Sequence, residues 1–467
     1  HSTVRWCEKM GKVQWGSLIT ALCALAVAAT VATVAVIQST QDPLEPGLEC
    51  SNQCEFEVVE SRPFMLTALP PVEGVPLTHD VFSDLIQGSQ KSLEIAALYW
   101  DLSDGAKWPQ YNGNWGNNIL QQIAAAGKRG VDVRIAQNMP SAYFPSTDSI
   151  NLEIAHLAQL RNLSMPDITG QDGGVLHTKC VIKDEDAFYV GSANMDWKSL
   201  AMVKELGIHI RNCPCLTKQI RKIFSTYWIA GTMEGTPSHW PNDLTTSVNM
   251  NTPVLLDLTQ IGTNASNAGT PGSLFLSISP PALIPPGWTH DLDALLNLFN
   301  TASEYIKIEV MDYYPESRYT TSKSYWPVIG DALKAAAFER GVDVYFLAGY
   351  WNHTNLEMIY FLNSLQAAGD ACKVQKSCTG SITVNMFQFP EIPLDPQVTF
   401  VMVNHAKFVV TDSGVFISTS NWTKDYFYNT GGISLVTNNP LVKKKVLLVF
   451  DRDWESPYSK SVTNFLN

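Results

Sequence analysis

Positive charge is scarce in this chain. Its 467 residues carry 32 Lys and Arg against 44 Asp and Glu, a formal net charge of −12. That excludes a broad duplex-binding surface, which needs a basic footprint. Any nucleic-acid contact should be confined to a narrow groove. Metal-ligand clusters are also scarce. Each His-x-Lys motif described below supplies one histidine, and its lysine would repel an ion, so neither a metal nor a cofactor is expected. Long apolar runs are limited to Leu18–Ile37, twenty uncharged residues that match a hydrocarbon core of roughly 30 Å. Arg5, Lys9 and Lys12 precede the run, and Asp42 and Glu45 follow it. The positive-inside rule then leaves the N-terminus in the cytosol and the remainder in a lumen or outside. A cleaved signal peptide and a buried soluble helix are the rival readings; the run is longer than an ordinary signal core. The chain opens at His1, not Met, so an upstream piece is expected.

What is present decides more. His177-Thr-Lys179 is followed by Asp184 and then by Gly191-Ser192-Ala-Asn194. His405-Ala-Lys407 is followed by Asp412 and then by Thr419-Ser420-Asn421. The flanks repeat too. Ser92–Asp101 is similar to Tyr305–Tyr314, and both read as buried strands. Helical stretches at Asn118–Lys128 and Trp326–Glu339 each end in Arg-Gly-Val-Asp-Val, a helix stop followed by a strand. Closing helices end in Phe224-x3-Trp228 and Phe450-x3-Trp454. Strand, helix, strand, motif and helix, twice over, predict two similar α/β lobes, each a mixed sheet with flanking helices, about a pseudo-twofold axis. The expected layout is a cytosolic tail over 1–15, a transmembrane signal anchor over 16–38, stalk and first lobe over 39–240, and linker with second lobe over 241–467.

Reading Val175–Ile182 as a strand puts His177 and Lys179 on one face, because side chains alternate. His405 and Lys407 repeat this. A twofold arrangement would bring two histidines, two lysines, Asn194 and Asn421 to one cleft. That set suits cleavage of a phosphodiester without metal. One imidazole attacks phosphorus and the other, protonated, supplies a proton to the leaving oxygen. Lys179, Lys407, Asn194 and Asn421 would hold the non-bridging oxygens. Ser192 and Ser420 are candidate donors to substrate. Asp184 and Asp412 belong to the motif set, with a role in orienting or pairing within their own lobe. Glu205 is the candidate tautomer-fixing partner of His177. The corresponding phrase in lobe two, Asn429-Thr-Gly-Gly432, has no carboxylate, so the histidines should be unequal, with His177 as nucleophile and His405 as acid. Tyr99, Trp100 and Tyr313 are candidate base-stacking residues, with core packing as the rival reading. Trp108, Tyr111 and Trp115 read as part of a loop. Trp197, Trp422, Trp228 and Trp454 read as core. Lone histidines such as His209, His290 and His353 read as ordinary satisfied residues.

Of nine cysteines, seven follow the apolar run. Cys50 and Cys54 are expected to cross-link to Cys213 and Cys215, with a four-cysteine zinc site as the rival. Cys372 and Cys378 could close a local loop, and Cys180 reads as a buried free thiol. Sequons at Asn162, Asn264 and Asn352 are candidate glycan sites, whereas Asn421 should face the cleft unmodified.

These motifs resemble the phospholipase D superfamily. The similarity extends to Gly191–Trp197, Val203–Gly207, Asn212–Leu216, Thr419–Trp422 and Phe450–Tyr458, which look like animal phospholipase D family members three and four, over nearly all of the chain after about Glu49. Ser418 stands where that family usually has Gly. The resemblance implies type II membrane proteins of the endoplasmic reticulum, Golgi and endolysosome with a soluble form released by proteolysis. It implies 5′-to-3′ exonuclease action on single-stranded DNA and RNA. A phospholipase or transphosphatidylase role in making bis(monoacylglycero)phosphate, and a homodimer, are also implied. Carried over, His177, Lys179, Asn194, His405, Lys407 and Asn421 form the catalytic set.

Overall fold

The computed structural model describes residues 54–233, 235, 237–256 and 272–466. The run Leu18–Ile37, Cys50 and Asn264 lie outside them. Among the described residues, no helix is long and apolar enough to cross a membrane.

Two mixed sheets carry the fold. The first has seven strands in the order Glu55–Ser61, Glu205–Arg211, Ala187–Gly191, Cys180–Lys183, Ser92–Ala97, Asp132–Asn138 and Gln159–Leu163. The second contains the same succession: Gly272–Ser279, Gly432–Thr437, Val415–Ser418, Lys407–Thr411, Tyr305–Val310, Asp343–Tyr350 and Ser381–Gln388. Val254–Leu256 extends one end of that second sheet and Ser459–Ser461 the other. In each sheet the last three strands of the matching set run parallel and the others pair antiparallel.

The local reasons lie in the repeated phrases. Helices Asn114–Lys128 and Val328–Arg340 stop where the chain must turn sharply into the next strand. Gly130 (φ 88°) and Gly341 (φ 73°) take up the left-handed conformation there, which a Cβ would strain. The following Val133 and Val344 enter the core. Closing helices Pro214–Ala230 and Pro440–Glu455 each stack their Phe on their Trp, at 5.9 Å for Phe224–Trp228 and 5.6 Å for Phe450–Trp454. Trp197 and Trp422 are buried in the core, as their patterning predicts.

Three aromatic expectations need correction. Trp100 and Tyr313 are packed inside, Tyr313 edge-on to Phe346 at 5.4 Å, so neither ring has a face to offer a base. Trp108, Tyr111 and Trp115 do not form an open loop. They lie on 3-10 turns and a helix start, and pack against Trp197, Val398 and their neighbours. Tyr99 is half-buried, and its hydroxyl donates to Asp196 at 2.7 Å.

Cys54 and Cys213 form a disulfide, and Cys372 is bonded to Cys378. Cys215 lies against the first bridge, its sulfur 3.6 Å from that of Cys213. Cys180 is a buried free thiol. Asn352 is exposed in the turn after strand Asp343–Tyr350. Asn162 is half-buried on an edge strand, and its side-chain oxygen accepts from Gln137 at 3.0 Å.

Candidate active site

The motif histidines are not inside strands, and of the two lysines only Lys407 is, as the first residue of its strand. His177 and Lys179 lead into Cys180–Lys183; His405 leads into Lys407–Thr411. Each is seated by backbone from the opposite half. His177 N–H donates to Gly431 O at 2.8 Å, and Gly431 N–H donates to Val175 O at 2.9 Å. Likewise His405 N–H donates to Lys204 O at 2.8 Å, and Lys204 N–H to Val403 O at 3.0 Å. This reciprocal grip sets the two imidazoles opposite each other across the seam, with ring centroids 6.4 Å apart and planes tilted by 59°.

Their partners are unequal, but not in the way sequence order suggests. Glu205 is bonded to His405, with Oε2 2.7 Å from Nδ1, and not to His177. His177 Nδ1 faces the carbonyl of Thr419 at 2.7 Å. A carbonyl only accepts, so Nδ1 carries the proton and Nε2 is left as the reactive nitrogen. The reason for the exchange is the crossed grip. Lys204 holds His405, so the next residue, Glu205, reaches that ring. Gly431 holds His177, and the next residue is Gly432. A Cβ there would lie 2.4 Å from Ser420 Oγ, so no carboxylate fits.

The lysines behave as a matched pair. Lys179 Nζ donates to His177 O, and Lys407 Nζ to His405 O, each at 2.5 Å. Both side chains are buried. Burial, and then the charge of Lys407, hold the Lys179 ammonium well below its usual range. Burial lowers Lys407 to about 7, although Glu205 and Asp312 oppose that. Burial followed by the two lysines depresses both imidazoles well below their ordinary value. Burial also pushes the Glu205 carboxyl up to about 8, against the pull of Lys407. Desolvation is thus the dominant influence on every ionisable group in this cleft.

Asn194 and Asn421 are buried beside this centre, and each has a side-chain oxygen with no partner among the described residues. Asn421 Nδ2 donates to Asp312 at 3.1 Å and to the Tyr426 hydroxyl at 3.3 Å, so its amide is engaged from within. Tyr426 also packs edge-on to His177 at 5.0 Å.

Asp184 and Asp412 pair within their own halves, as their place in the motif predicts, and stand outside the catalytic set; the expectation for Ser192 is corrected. Asp184 and Asp412 lie at the far ends of their strands from the histidines. Asp184 accepts from the backbone N–H groups of Gln90, Lys91 and Ser92, the last at 2.9 Å. Asp412 accepts from those of Ser303, Glu304 and Tyr305, the first at 3.0 Å. Each carboxylate therefore fixes the start of its half's central buried strand and is remote from the chemistry. Ser192 Oγ is taken up by Leu206, accepting from its N–H at 2.9 Å. Ser420 is buried with its hydroxyl over Gly432. The Ser192 hydroxyl is thus spent within its own half, while that of Ser420 has no partner among the described residues.

Sequence reasoning missed Asp312 and Tyr426. Burial raises the Asp312 carboxyl to about 6, while Lys407 pulls it down. Its signal was available: an acid directly after the buried strand Tyr305–Val310, aligned with Tyr99 in the other repeat.

A model of the family described as PLD3/4, PLD-like domain matches residues 74–391. The chain is 37% identical over 423 residues to Phospholipase D Z of Dictyostelium discoideum, covering 90% of this chain and 94% of that one. It is 38% identical over 415 residues to human 5'-3' exonuclease PLD3, covering 88% and 81%. Among solved structures, phosphatidylserine synthase of Haemophilus influenzae is similar with a TM-score of 0.53 at 14% identity, covering 83% and 86%, a likeness of fold alone. With two His-x-Lys segments meeting across one seam and these matches spanning most of its length, the chain belongs to the PLD3/4, PLD-like domain family of the phospholipase D superfamily.

Proposed function

We propose that this protein is a 5′-to-3′ exonuclease that cleaves phosphodiester bonds of single-stranded DNA and RNA through a covalent phosphohistidine. The observation that carries this reading is the pair of imidazoles, His177 and His405, facing each other at 6.4 Å from opposite halves. The matched strand orders support a duplicated pair of lobes about a pseudo-twofold axis.

His405 is the nucleophile. A ring partner that raises basicity favours attack, and that partner, Glu205, belongs to His405. Its Nε2 forms a bond to phosphorus as the bond to the leaving oxygen breaks. His177, protonated, delivers its Nε2 proton to that oxygen. It then takes a proton from water, which attacks phosphorus and releases His405. Lys179, Lys407 and the Asn194 amide hold the non-bridging oxygens as charge develops, while Asn421, whose amide donates to Asp312 and Tyr426, positions those groups beside them. An entering diester is an anion, so it raises the proton affinity of the imidazoles and lysines that burial has depressed. Substrate itself charges the acid.

The named activity of the human relative supports the nucleic-acid reading. The name of the Dictyostelium relative, Phospholipase D Z, favours a second one, a lipid phospholipase or transphosphatidylase using the same phosphohistidine. The apolar run and its flanking charges support a type II anchor with the catalytic part in the lumen of the secretory and endolysosomal system. The Cys54–Cys213 disulfide agrees with an oxidising compartment.

The test is an end-labelled single-stranded oligonucleotide with EDTA at about pH 5, where an ordinary imidazole is largely protonated. Stepwise loss from the 5′ end, abolished by His177→Ala and by His405→Ala, is expected. Intact oligonucleotide with turnover of phosphatidylglycerol would favour the lipid reading instead.

A further inference from the structure

A recess of about 470 Å³ opens at the ends of strands Asp343–Tyr350 and Ser381–Gln388. These strands neighbour Tyr305–Val310, whose end leads to Asp312 in the cleft. Open α/β sheets place ligands at this edge, beyond the carboxyl ends of parallel strands. The recess lies near the reaction centre. A Cβ on Gly349, just before its first wall residue, would lie 2.8 Å from the carbonyl of Asn404, the residue before His405. Met402, on the far wall, is three residues from His405, at most about 11 Å of extended backbone.

The walls are aromatic and acidic. His353 stacks flat on Phe400, centroids 4.8 Å apart with 8° between planes, and Trp351 meets His353 edge-on at 4.6 Å. Phe400 is 59% exposed, so its outer face is open. It holds a left-handed backbone, φ 58°, a conformation that costs a bulky residue energy and tends to mark function. Glu391 and Asp395 supply acceptors; no lysine or arginine is among the lining residues, and Lys460 meets the recess only through Gln388, to whose Oε1 it donates at 2.8 Å.

We infer that this recess is a nucleobase subsite, taking the base of a nucleotide that flanks the phosphate held between His177 and His405. The inference deepens the nucleic-acid reading and rests on it. A base has a flat face to stack on Phe400 and exocyclic amino groups for the carboxylates. A phosphate finds no cation on the walls. An acyl chain gains nothing from two acids.

The test compares full-chain enzyme with Phe400→Asn and Phe400→Trp. Asn removes the ring and tolerates the left-handed backbone, so the loop keeps its form. Two end-labelled single-stranded oligonucleotides are used, identical except that one carries abasic tetrahydrofuran residues on either side of the first scissile phosphate. The readout is the ratio of kcat/KM on the two. The parent is expected to prefer the base-bearing end by about tenfold, within the range of one stacked base. Phe400→Asn should bring the ratio close to one, and Phe400→Trp should keep it. Cleavage by the parent with no preference, or a preference that Phe400→Asn leaves intact, overturns the subsite alone. If the parent leaves both oligonucleotides whole and turns over phosphatidylglycerol vesicles, the nucleic-acid reading fails and the subsite falls with it.

Discussion

Glu205 Oε2 lies 2.7 Å from Nδ1 of His405, although the two residues belong to different halves and are 200 positions apart. The carboxylate fixes which ring nitrogen faces phosphorus, and it stabilises the positive ring that forms on attack. Burial holds the resting Glu205 carboxyl up to about 8, and the cationic ring that forms on attack draws it into its ionised form; Glu205→Gln keeps the shape and cannot ionise. Steady-state kinetics should show kcat down by about 10²- to 10⁴-fold, the span of positioned acid–base groups, with KM little changed. An unchanged kcat would remove Glu205 from the mechanism.

Asp184 and Asp412 carry the opposite expectation. Each ties down the backbone that opens a central strand. Asp184→Ala or Asp412→Ala should lower unfolding free energy by about 1–3 kcal/mol, the cost of stranding such donors. Turnover per folded molecule should be retained. Denaturant titration beside an activity assay separates the two effects.

These residues show what the sequence could convey. A repeat reveals which positions correspond, so the two histidines, lysines and asparagines could be matched before any coordinates. It also gave the strand succession, because the Arg-Gly-Val-Asp-Val phrase carries its own turn chemistry. A repeat does not reveal that the halves exchange grips. Glu205 follows His177 in sequence, and only the pairing of Lys204 with Asn404 shows that it serves the other ring. Aromatic residues at strand ends failed for a different reason. Trp100 and Tyr313 have the same composition signal whether they face solvent or core, and burial depends on what packs above them.

Asp312 sets a pH dependence. Burial raises its carboxyl to about 6, so it is harder to ionise folded than unfolded. Its stabilisation is complete below about pH 4, where both states hold the proton, and is lost as pH rises through about 6. The loss is roughly 2–3 kcal/mol by linkage. Glu309, raised to about 7 by burial, acts in the same direction at higher pH. Lys407, lowered to about 7, recovers stability only as pH rises from there toward the ordinary lysine value. From pH 4 to 7 the depressed His177 and His405 imidazoles add stability and oppose these acids, so the comparison is between proteins: the melting temperature of Asp312→Asn relative to the parent should rise as pH goes from 4 to 7.

Lys204 anchors a buried charge cluster. Its ammonium is bonded to Glu309 and lies 2.7 Å from Asp453, while neighbouring Arg452 bonds Glu60 at 2.8 Å. Removing one member of such a group strands buried charge. Lys204→Met should cost about 3–5 kcal/mol in chemical denaturation. A loss below 1 kcal/mol would mean that the carboxylates simply take up protons.

The account rests on His405 attacking phosphorus while His177 moves the proton. The most direct measurement is rapid acid-free quenching of the enzyme with a p-nitrophenyl phosphodiester, whose leaving group needs little protonation, followed by peptide mass spectrometry. In the parent and in His177→Ala, the phosphoryl adduct should sit on the peptide containing His405, and it should accumulate in His177→Ala because its hydrolysis lacks a base. His405→Ala should carry none. An adduct on His177, or no adduct in any of the three proteins, would contradict the account.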